Sequence, residues 1–239
     1  MKRKAKRRLS FRFIATVTVL VLASLGVLLS PLFRVDQIYI KGNQNVTGLE
    51  ITRNIQAELS MGTNIFAFNM RRVVDLIEVI PYVQTASLER QLPRRVVVNI
   101  AERQPAVNVC LIVGGYVLVD PTGVVLEVVQ LPNPGLPRVS GMAVESFIDG
   151  RHLEARYLTE MLYLISIFAL YDFVPDLVEF DEPRNILIHK DNFEIRFGSL
   201  YQAERKTRYI IGILENTPVD RGFLDISNPN YPRLQFTQR

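Results

Sequence analysis

The chain has 239 residues, of which 48% are hydrophobic and 22% charged, a balance typical of a folded protein and not of a disordered one. Its net charge of +4 arises at the amino terminus: seven of the 28 basic residues lie within residues 1–12, which leaves 21 cations against 24 carboxylates for the remainder. A DNA or RNA footprint belongs on the folded surface, so we expect no nucleic-acid partner. The single cysteine, Cys110, excludes an internal disulfide.

An uncharged apolar stretch, Phe13–Phe33, follows the basic leader and predicts a transmembrane helix. Its 21 residues correspond to a helix of roughly 31 Å, close to the ~30 Å hydrocarbon core of a bilayer. We expect Phe13 and Phe33 to delimit this anchor. The charges that set the topology are Lys2, Arg3, Lys4, Lys6, Arg7, Arg8 and Arg12. Basic segments stay in the cytoplasm, so we expect residues 1–12 inside, residues 13–33 in the cytoplasmic (inner) membrane and the rest outside.

A cleaved secretory signal is the alternative interpretation of this stretch. The small-x-small triplet Ser24-Leu25-Gly26 is followed by further apolar residues. The apolar part of a signal usually ends before its cleavage site, so the sequence favours a retained anchor. Under both interpretations the rest of the chain acts outside the cytoplasmic membrane.

The next 70 or so residues predict a compact unit with the order β-α-α-β-β. Alternating polarity indicates a strand over residues 33–41, and two more strands are expected at 83–90 and 96–102. Thr47 and Asn69 are suited to cap two intervening helices, the second of which ends at Pro81. The expected buried positions of these helices are Ile51, Ile55, Leu59, Val73, Leu76, Ile77 and Ile80.

Five short motifs follow one another through this region. They are Phe33-Arg-Val-x-x-Ile-x-Ile-x-Gly-Asn43, Gly62–Phe66, Pro81–Val83, Arg90–Pro93 and Glu102–Ala106. In this order, directly after a basic leader and one span, they resemble the motifs of the FtsQ/DivIB family of bacterial cell-division proteins. The sequence departs from the family at Tyr82 and near Cys110, where the family often has tryptophan. The resemblance implies a POTRA (polypeptide-transport-associated) domain over residues 34–104 and the family's β-domain over residues 105–239.

The second half of the chain predicts a mixed β-sheet with helices. Gly114-Gly115 predicts a two-residue hairpin between strands at 106–113 and 116–120. The other expected strands lie at 124–129, 177–180, 185–189, 193–197, 223–227 and 234–236. The segments Leu118–Val125 and Leu136–Gly141 extend the family resemblance.

Two helices are expected in this half, at 153–171 and 202–214. The first has a regular apolar stripe, formed by Leu158, Met161, Leu162, Ile165 and Ala169. The second places Lys206 and Arg208 on its polar side. The fold class is therefore α+β: one transmembrane helix, a POTRA domain and a mixed β-sheet domain with helices.

No residue pattern indicates catalysis or a metal site. His152 and His189 are 37 residues apart, and neither has a Glu or Cys at metal-ligand spacing. Gly114-Gly115 lies between two strands and not before a helix, so it does not predict a phosphate loop. We expect no enzyme activity, no metal and no cofactor.

The resemblance implies a scaffold that works by binding. In the family, the last strands of the β-domain receive the extracytoplasmic segments of the coiled-coil proteins FtsB and FtsL, or DivIC and FtsL in Gram-positive bacteria. The corresponding region here is Gly222–Tyr231. The expected contact residues are Phe223, Asp225, Ser227 and Tyr231, with charge added by Arg205 and Arg208 of the preceding helix. Because an exposed sheet edge accepts a further strand, we expect Phe223–Ser227 to be that edge; the alternative is an ordinary core strand.

Two other function classes stay open at this point. A POTRA-bearing component of polypeptide transport or outer-membrane assembly predicts tandem POTRA repeats or amphipathic barrel strands, and the sequence shows neither. An exported enzyme would assemble its site from scattered residues. The motif order and the anchor favour a single-pass protein of the division septum, which links early and late components of the septal peptidoglycan machinery.

Overall fold

A computed structural model describes residues 11–180, 182–216 and 221–236. Within these ranges the chain forms two compact units. The first contains the residues up to Val79 together with Val83–Glu102, and the second contains Ile80–Tyr82 together with the residues from Arg103 onward. An apolar amino-terminal helix, a small α+β unit and a larger β-sheet unit confirm the predicted α+β class.

The first helix, α1, extends from Phe11 to Leu28 and is long and apolar enough to cross a membrane, with a mean hydropathy of 2.1. Its 18 residues span about 27 Å. The helix ends before the predicted limit, because Pro31 begins a short 3-10 turn, Pro31–Phe33. Phe13 lies exposed on α1, whereas Phe33 lies in that turn. Arg12 is on α1, and the other six topology charges lie outside the described residues.

The first unit has the predicted order β-α-α-β-β. Its elements are β1 Gln37–Lys41, α2 Gly48–Ile55, α3 Met70–Glu78, β2 Val83–Gln91 and β3 Arg95–Glu102. The three strands form one sheet in the order β1-β3-β2. Strand β3 is parallel to β1 and antiparallel to β2. Helix α3 packs against β2 and α2.

Both predicted helix caps of this unit are confirmed. The Thr47 hydroxyl accepts a hydrogen bond from the Glu50 amide at 3.2 Å, and the Asn69 side chain accepts from the Arg71 and Arg72 amides at 3.0 and 3.4 Å. These side chains satisfy donors that a helix start leaves without a partner. Of the predicted core positions, Leu76 is half-buried and the others are buried.

The last residue of β3, Glu102, holds the loop between β1 and α2. Its carboxylate accepts hydrogen bonds from the backbone amides of Gln44, Asn45 and Val46 at 2.7, 2.8 and 3.0 Å. Burial raises the pKa of Glu102, but these bonds outweigh burial and leave the pKa lowered. The folded loop therefore favours the ionised carboxylate.

We predict that Glu102→Gln loosens this loop, because a neutral amide has one acceptor oxygen where the carboxylate has two. The expected loss is about 1–2 kcal/mol of local stability, measured by hydrogen exchange of the Gln44–Val46 amides. Because the folded pKa is lowered, the stabilisation is complete at neutral pH and disappears as acidification passes through that pKa. Glu102→Gln should lack this acid dependence, and exposed Glu89→Gln should retain it. Equal exchange in the two variants would contradict this assignment.

The second unit contains eleven strands and two helices among the described residues. The strands are β4 Val107–Cys110, β5 Tyr116–Val119, β6 Val125–Val129, β7 Arg138–Ser140, β8 Val144–Ser146, β9 Glu154–Ala155, β10 Leu177–Phe180, β11 Ile186–Lys190, β12 Phe193–Gly198, β13 Gly222–Asp225 and β14 Arg233–Phe236, and the helices are α4 Leu158–Leu170 and α5 Ala203–Asn216. Nine strands form one sheet in the order β14-β13-β12-β11-β10-β7-β4-β5-β6, and β8 pairs with β9. Strand β7 is parallel to β10 and to β4, and β12 is parallel to β13, whereas β10 is antiparallel to β11. The sheet contains both kinds of pair, so the predicted mixed sheet is confirmed.

The hairpin between β4 and β5 differs from the predicted two-residue turn. Cys110 pairs with Tyr116, so residues 111–115 connect the strands. The Gly114 amide donates to the Leu111 carbonyl at 3.0 Å, which closes a turn before Gly115 is reached. Both glycines have positive φ, a conformation that glycine adopts without steric cost. The predicted strand 106–113 is too long because its last residues form the turn.

The predicted start of α4 at residue 153 is wrong. Residues 154–155 pair with β8, and Tyr157 has a positive φ of 62° immediately before the helix. The predicted stripe is partly wrong as well: Met161 and Ile165 are buried, but Ala169 is exposed. Leu164, Ile167 and Phe168 are also buried, because this helix is apolar on most of its surface and periodicity does not single out one face.

Candidate protein-interaction site

The nine-stranded sheet places β14, not β13, at its carboxyl-terminal edge. Strand β13 pairs in parallel with β12 on one side and antiparallel with β14 on the other. The expectation that Phe223–Ser227 forms the edge is therefore wrong, because the next strand along the chain covers it. Among the described residues, β14 pairs with β13 alone.

Three of the predicted contact residues, Phe223, Asp225 and Ser227, make contacts within the sheet and its turns. Asp225 accepts hydrogen bonds from the Ser227 amide at 3.0 Å and from the Ser227 hydroxyl at 2.6 Å. Burial raises the pKa of Asp225, but these bonds and the charges of Arg196 and Arg233 leave it lowered. Phe223 is half-buried, with the Arg196 guanidinium 5.7 Å from its ring centroid. Asp225 and Ser227 therefore shape the turn after β13.

The other three predicted residues lie on α5 and on the connection to β14. Tyr231 is 73% exposed in that connection. Arg205 donates to the Asn230 side chain at 3.2 Å and to the Tyr209 hydroxyl at 3.1 Å, which joins α5 to the same connection. Arg208 lies exposed on α5. Arg205 is thus held against the connection that carries Tyr231 and leads into β14.

Lys206 is buried, so its predicted place on the polar side of α5 is wrong. The side chain is 0% exposed, and its ammonium donates to the Phe197 and Ser199 carbonyls at 2.9 and 2.8 Å. Burial lowers the pKa of Lys206, and the charge of Asp225 opposes this effect. The ammonium therefore ties α5 to the end of β12, next to β13.

A signal for this burial exists in the sequence. The buried positions of α5 are Ala203, Lys206, Thr207 and Ile210, which have the i, i+3, i+4, i+7 spacing of a core-facing stripe. Lys206 lies inside that stripe, but its charge favours the prediction that it is exposed. Carbonyl groups at a strand end, which one sequence does not reveal, supply its hydrogen-bond partners.

Gly222, at the start of β13, sits against β14. A side-chain carbon added at Gly222 would lie 2.9 Å from the Gln235 carbonyl oxygen and 3.2 Å from the Phe193 ring. The first of these contacts is shorter than a side-chain carbon adopts without a shift of the backbone it meets, so glycine permits the close packing of β13 against β14. Sequence reasoning missed this role, because the glycine falls at the beginning of a strand and resembles an ordinary turn residue.

No metal-binding cluster of three His, Cys, Asp or Glu side chains occurs in the part of the chain that the structure describes. His189 lies 2.9 Å from one carboxylate, that of Glu179, on the sheet surface. The expectations that the protein needs no metal, cofactor or catalytic group stay predictions.

Comparison with known proteins shows which proteins this chain resembles. Residues 33–103 match the family model of the FtsQ-type POTRA domain. The cell division protein DivIB of Clostridium botulinum (strain Hall) is 23% identical over 240 residues, which cover 97% of this chain and 91% of the relative. Residues 33–103 are therefore an FtsQ-type POTRA domain, and nearly the whole chain is similar to a DivIB protein of the FtsQ/DivIB family. The resemblance given by the five motifs is confirmed.

Other FtsQ/DivIB relatives match over shorter stretches. The cell division protein FtsQ of Syntrophotalea carbinolica is 27% identical over 150 residues, which cover 60% of this chain and 52% of the relative. The FtsQ of Koribacter versatilis is 30% identical over 129 residues, covering 53% of this chain and 36% of the relative. These names support a role in bacterial cell division, with division proteins as partners. The apolar helix α1 fits a membrane-anchored member of the FtsQ/DivIB family.

We predict that Lys206→Met destabilises the second unit by about 1–3 kcal/mol. Methionine has a similar length, but it leaves the Phe197 and Ser199 carbonyls without their donor. Thermal unfolding of the full chain in detergent, followed by circular dichroism, measures the loss. Arg208→Met removes an exposed cation from the same helix and should change stability by less than about 0.5 kcal/mol. Equal melting temperatures for the two variants would show that the buried ammonium contributes no specific stability.

Proposed function

We propose that this protein is a single-pass membrane scaffold of the divisome, the bacterial cell-division machinery. Its partners are FtsB/DivIC-like and FtsL-like proteins, and it links early and late components of septal peptidoglycan synthesis by binding them. We divide the chain into four parts: a cytoplasmic tail (1–12), a transmembrane segment (13–33), a POTRA domain (34–104) and a β-domain (105–239). The amino terminus is in the cytoplasm, and both folded units are outside the inner membrane.

The observation that supports this proposal is the open edge of β14. A strand at a sheet edge has backbone N–H and C=O groups on its outer side that another chain can pair with. A partner segment added there gains affinity from backbone hydrogen bonds and specificity from alternate side chains. On β14, Arg233 and Gln235 are exposed, whereas Leu234 is half-buried. The side chains of an added strand would therefore lie beside polar, exposed residues on one face of the sheet and beside a half-buried leucine on the other.

The opposite edge of the same sheet is less suited to this task. The Val125 amide of β6 donates to the Arg151 carbonyl at 2.8 Å, and the Val125 carbonyl accepts from the Gly150 amide at 2.8 Å. The segment around residues 148–152 therefore covers the start of β6. Within the described ranges, no such segment bonds to the outer side of β14. This contrast favours β14 as the docking edge.

The candidate contact residues take distinct parts in this proposal. Tyr231 and Arg208 are exposed, and in this proposal they contact the partner directly. Phe223, Asp225, Ser227 and Arg205 shape β13 and its connection to β14, and so present the edge. The protein acts by binding and not by turnover. Its place is the division septum.

Disulfide cross-linking in membranes tests the docking edge. Cys110→Ser removes the single native cysteine. Gln235→Cys then places one thiol on β14, and a second cysteine is moved along the extracytoplasmic segment of the same organism's FtsB/DivIC-like protein. We predict cross-links at every second position of that segment, because residues opposite each other in paired strands have Cβ atoms about 5 Å apart.

A matched control uses Val128→Cys on β6, which is also an exposed position of an edge strand. We expect no alternating pattern from this variant. An alternating pattern from β6, or a stable complex without cross-links from β14, would contradict the docking edge. Failure of the two proteins to associate at all would contradict the proposed scaffold.

A further inference from the structure

One end of the POTRA unit lies next to the point where the chain leaves α1. Strand β1 begins at Gln37, nine residues after the last residue of α1, and Gln37 pairs with Arg95 at the start of β3. The Asp36 amide also donates to the Arg94 carbonyl at 3.0 Å. The turn between β2 and β3 is therefore held at the α1 end of the unit. The far end of β3 lies about 25 Å away along the strand.

The α1 end of the unit carries a small basic pocket. The pocket has a volume of about 340 Å³, and its polar lining consists of Asp36, Gln37, Gln91, Arg94 and Arg95. Arg95 donates to the Gln37 side chain at 3.1 Å, with its guanidinium 4.8 Å from the centroid of the Tyr39 ring. These contacts hold one arginine in place while its remaining N–H groups stay available. The pocket is suited to an anionic group.

The charges around this pocket do not cancel. Arg94 lies 3.3 Å from the Asp36 carboxylate, which offsets one of the cations. Arg95 and the exposed Arg34 make no ion pair among the described residues. Arg34 lies beside the pocket, because its carbonyl accepts a hydrogen bond from Arg94 at 3.3 Å, and it follows the end of α1 by six residues. Three arginines and one carboxylate thus give this end of the unit a local excess of two positive charges.

Apolar side chains surround the same end of the unit. Leu32 is 56% exposed, and Leu92, beside the pocket, is 59% exposed. Phe66 is 43% exposed, and its ring centroid lies 5.3 Å from that of Phe33 in the turn after α1. Exposed apolar residues next to cations are the composition of surfaces that lie in the interface of an anionic membrane.

We infer that the α1 end of the POTRA unit docks onto the membrane surface, with the head group of an anionic phospholipid in the pocket beside Arg94 and Arg95. Leu32 and Leu92 enter the interfacial layer, and the arginines bind the lipid phosphates. Docking fixes the orientation of the POTRA unit relative to the bilayer. This inference rests on the membrane anchor of the proposed function, and adds a lipid-binding surface to it.

The absence of tryptophan from the sequence makes a site-specific test available. Leu92→Trp introduces one indole at the pocket, and Val79→Trp introduces one at a 71% exposed position of the same unit. Val79 is four residues from Val83, which pairs with Glu102 at the far end of β3. Both full-length variants are placed in nanodiscs of phosphatidylglycerol or phosphatidylcholine, with and without brominated acyl chains, and circular dichroism verifies their fold.

We predict that the Leu92→Trp indole emits at shorter wavelength in phosphatidylglycerol and is quenched by brominated lipid, while the Val79→Trp indole is unaffected. Adding Arg94→Gln or Arg95→Gln should lower the ratio of docked to free unit about fivefold each, because one cation at an anionic surface contributes about 1 kcal/mol. Higher salt should weaken docking as well.

The result that overturns docking is equal, solvent-like emission from both indoles in both lipids. Alkaline extraction of vesicles tests the anchor separately. A chain that stays in the vesicles while its Leu92→Trp indole remains solvent-like contradicts docking and leaves the scaffold intact. A chain that is extracted contradicts the membrane anchor, and the inference fails with it.

Discussion

Strand pairing is the constraint on which this structure depends. A strand within a sheet has its backbone N–H and C=O groups satisfied only when it has a neighbour on each side, and β14 has one neighbour among the described residues. Every other strand from β13 to β5 lies between two others. The segment that bonds to Val125 covers the start of β6, whereas no described segment bonds to the outer side of β14.

The proposed docking edge has buried support behind it. Lys206 bonds α5 to the end of β12, and Gly222 lets β13 lie close to β14. A buried ammonium is costly unless its hydrogen bonds are made, so Lys206 favours a single arrangement of the helix and the strand end. Arg205 extends this support to the connection before β14. An edge held in this way keeps its backbone groups in register for an incoming strand.

Sequence reasoning succeeded where local chemistry decides the structure and failed where distant parts of the chain meet. The caps at Thr47 and Asn69, the order of the POTRA unit and most strands of the β-domain follow from neighbouring residues. The sequence predicts the edge at Phe223–Ser227, because no local pattern shows that residues 233–236 return beside that strand. Lys206 is predicted to be exposed for a related reason: its partners, the Phe197 and Ser199 carbonyls, lie at the end of β12, and a lysine without known partners is usually exposed.

The central claim is that a division partner adds a strand to β14, and hydrogen exchange of the backbone amides tests it most directly. The full chain is compared with and without a saturating amount of the extracytoplasmic segment of the FtsB/DivIC-like protein. The account predicts slower exchange for amides of Arg233–Phe236 and no change for amides of β6, because new backbone hydrogen bonds form at one edge only. Unchanged exchange across β14 in a saturated complex, with protection appearing elsewhere, would contradict it.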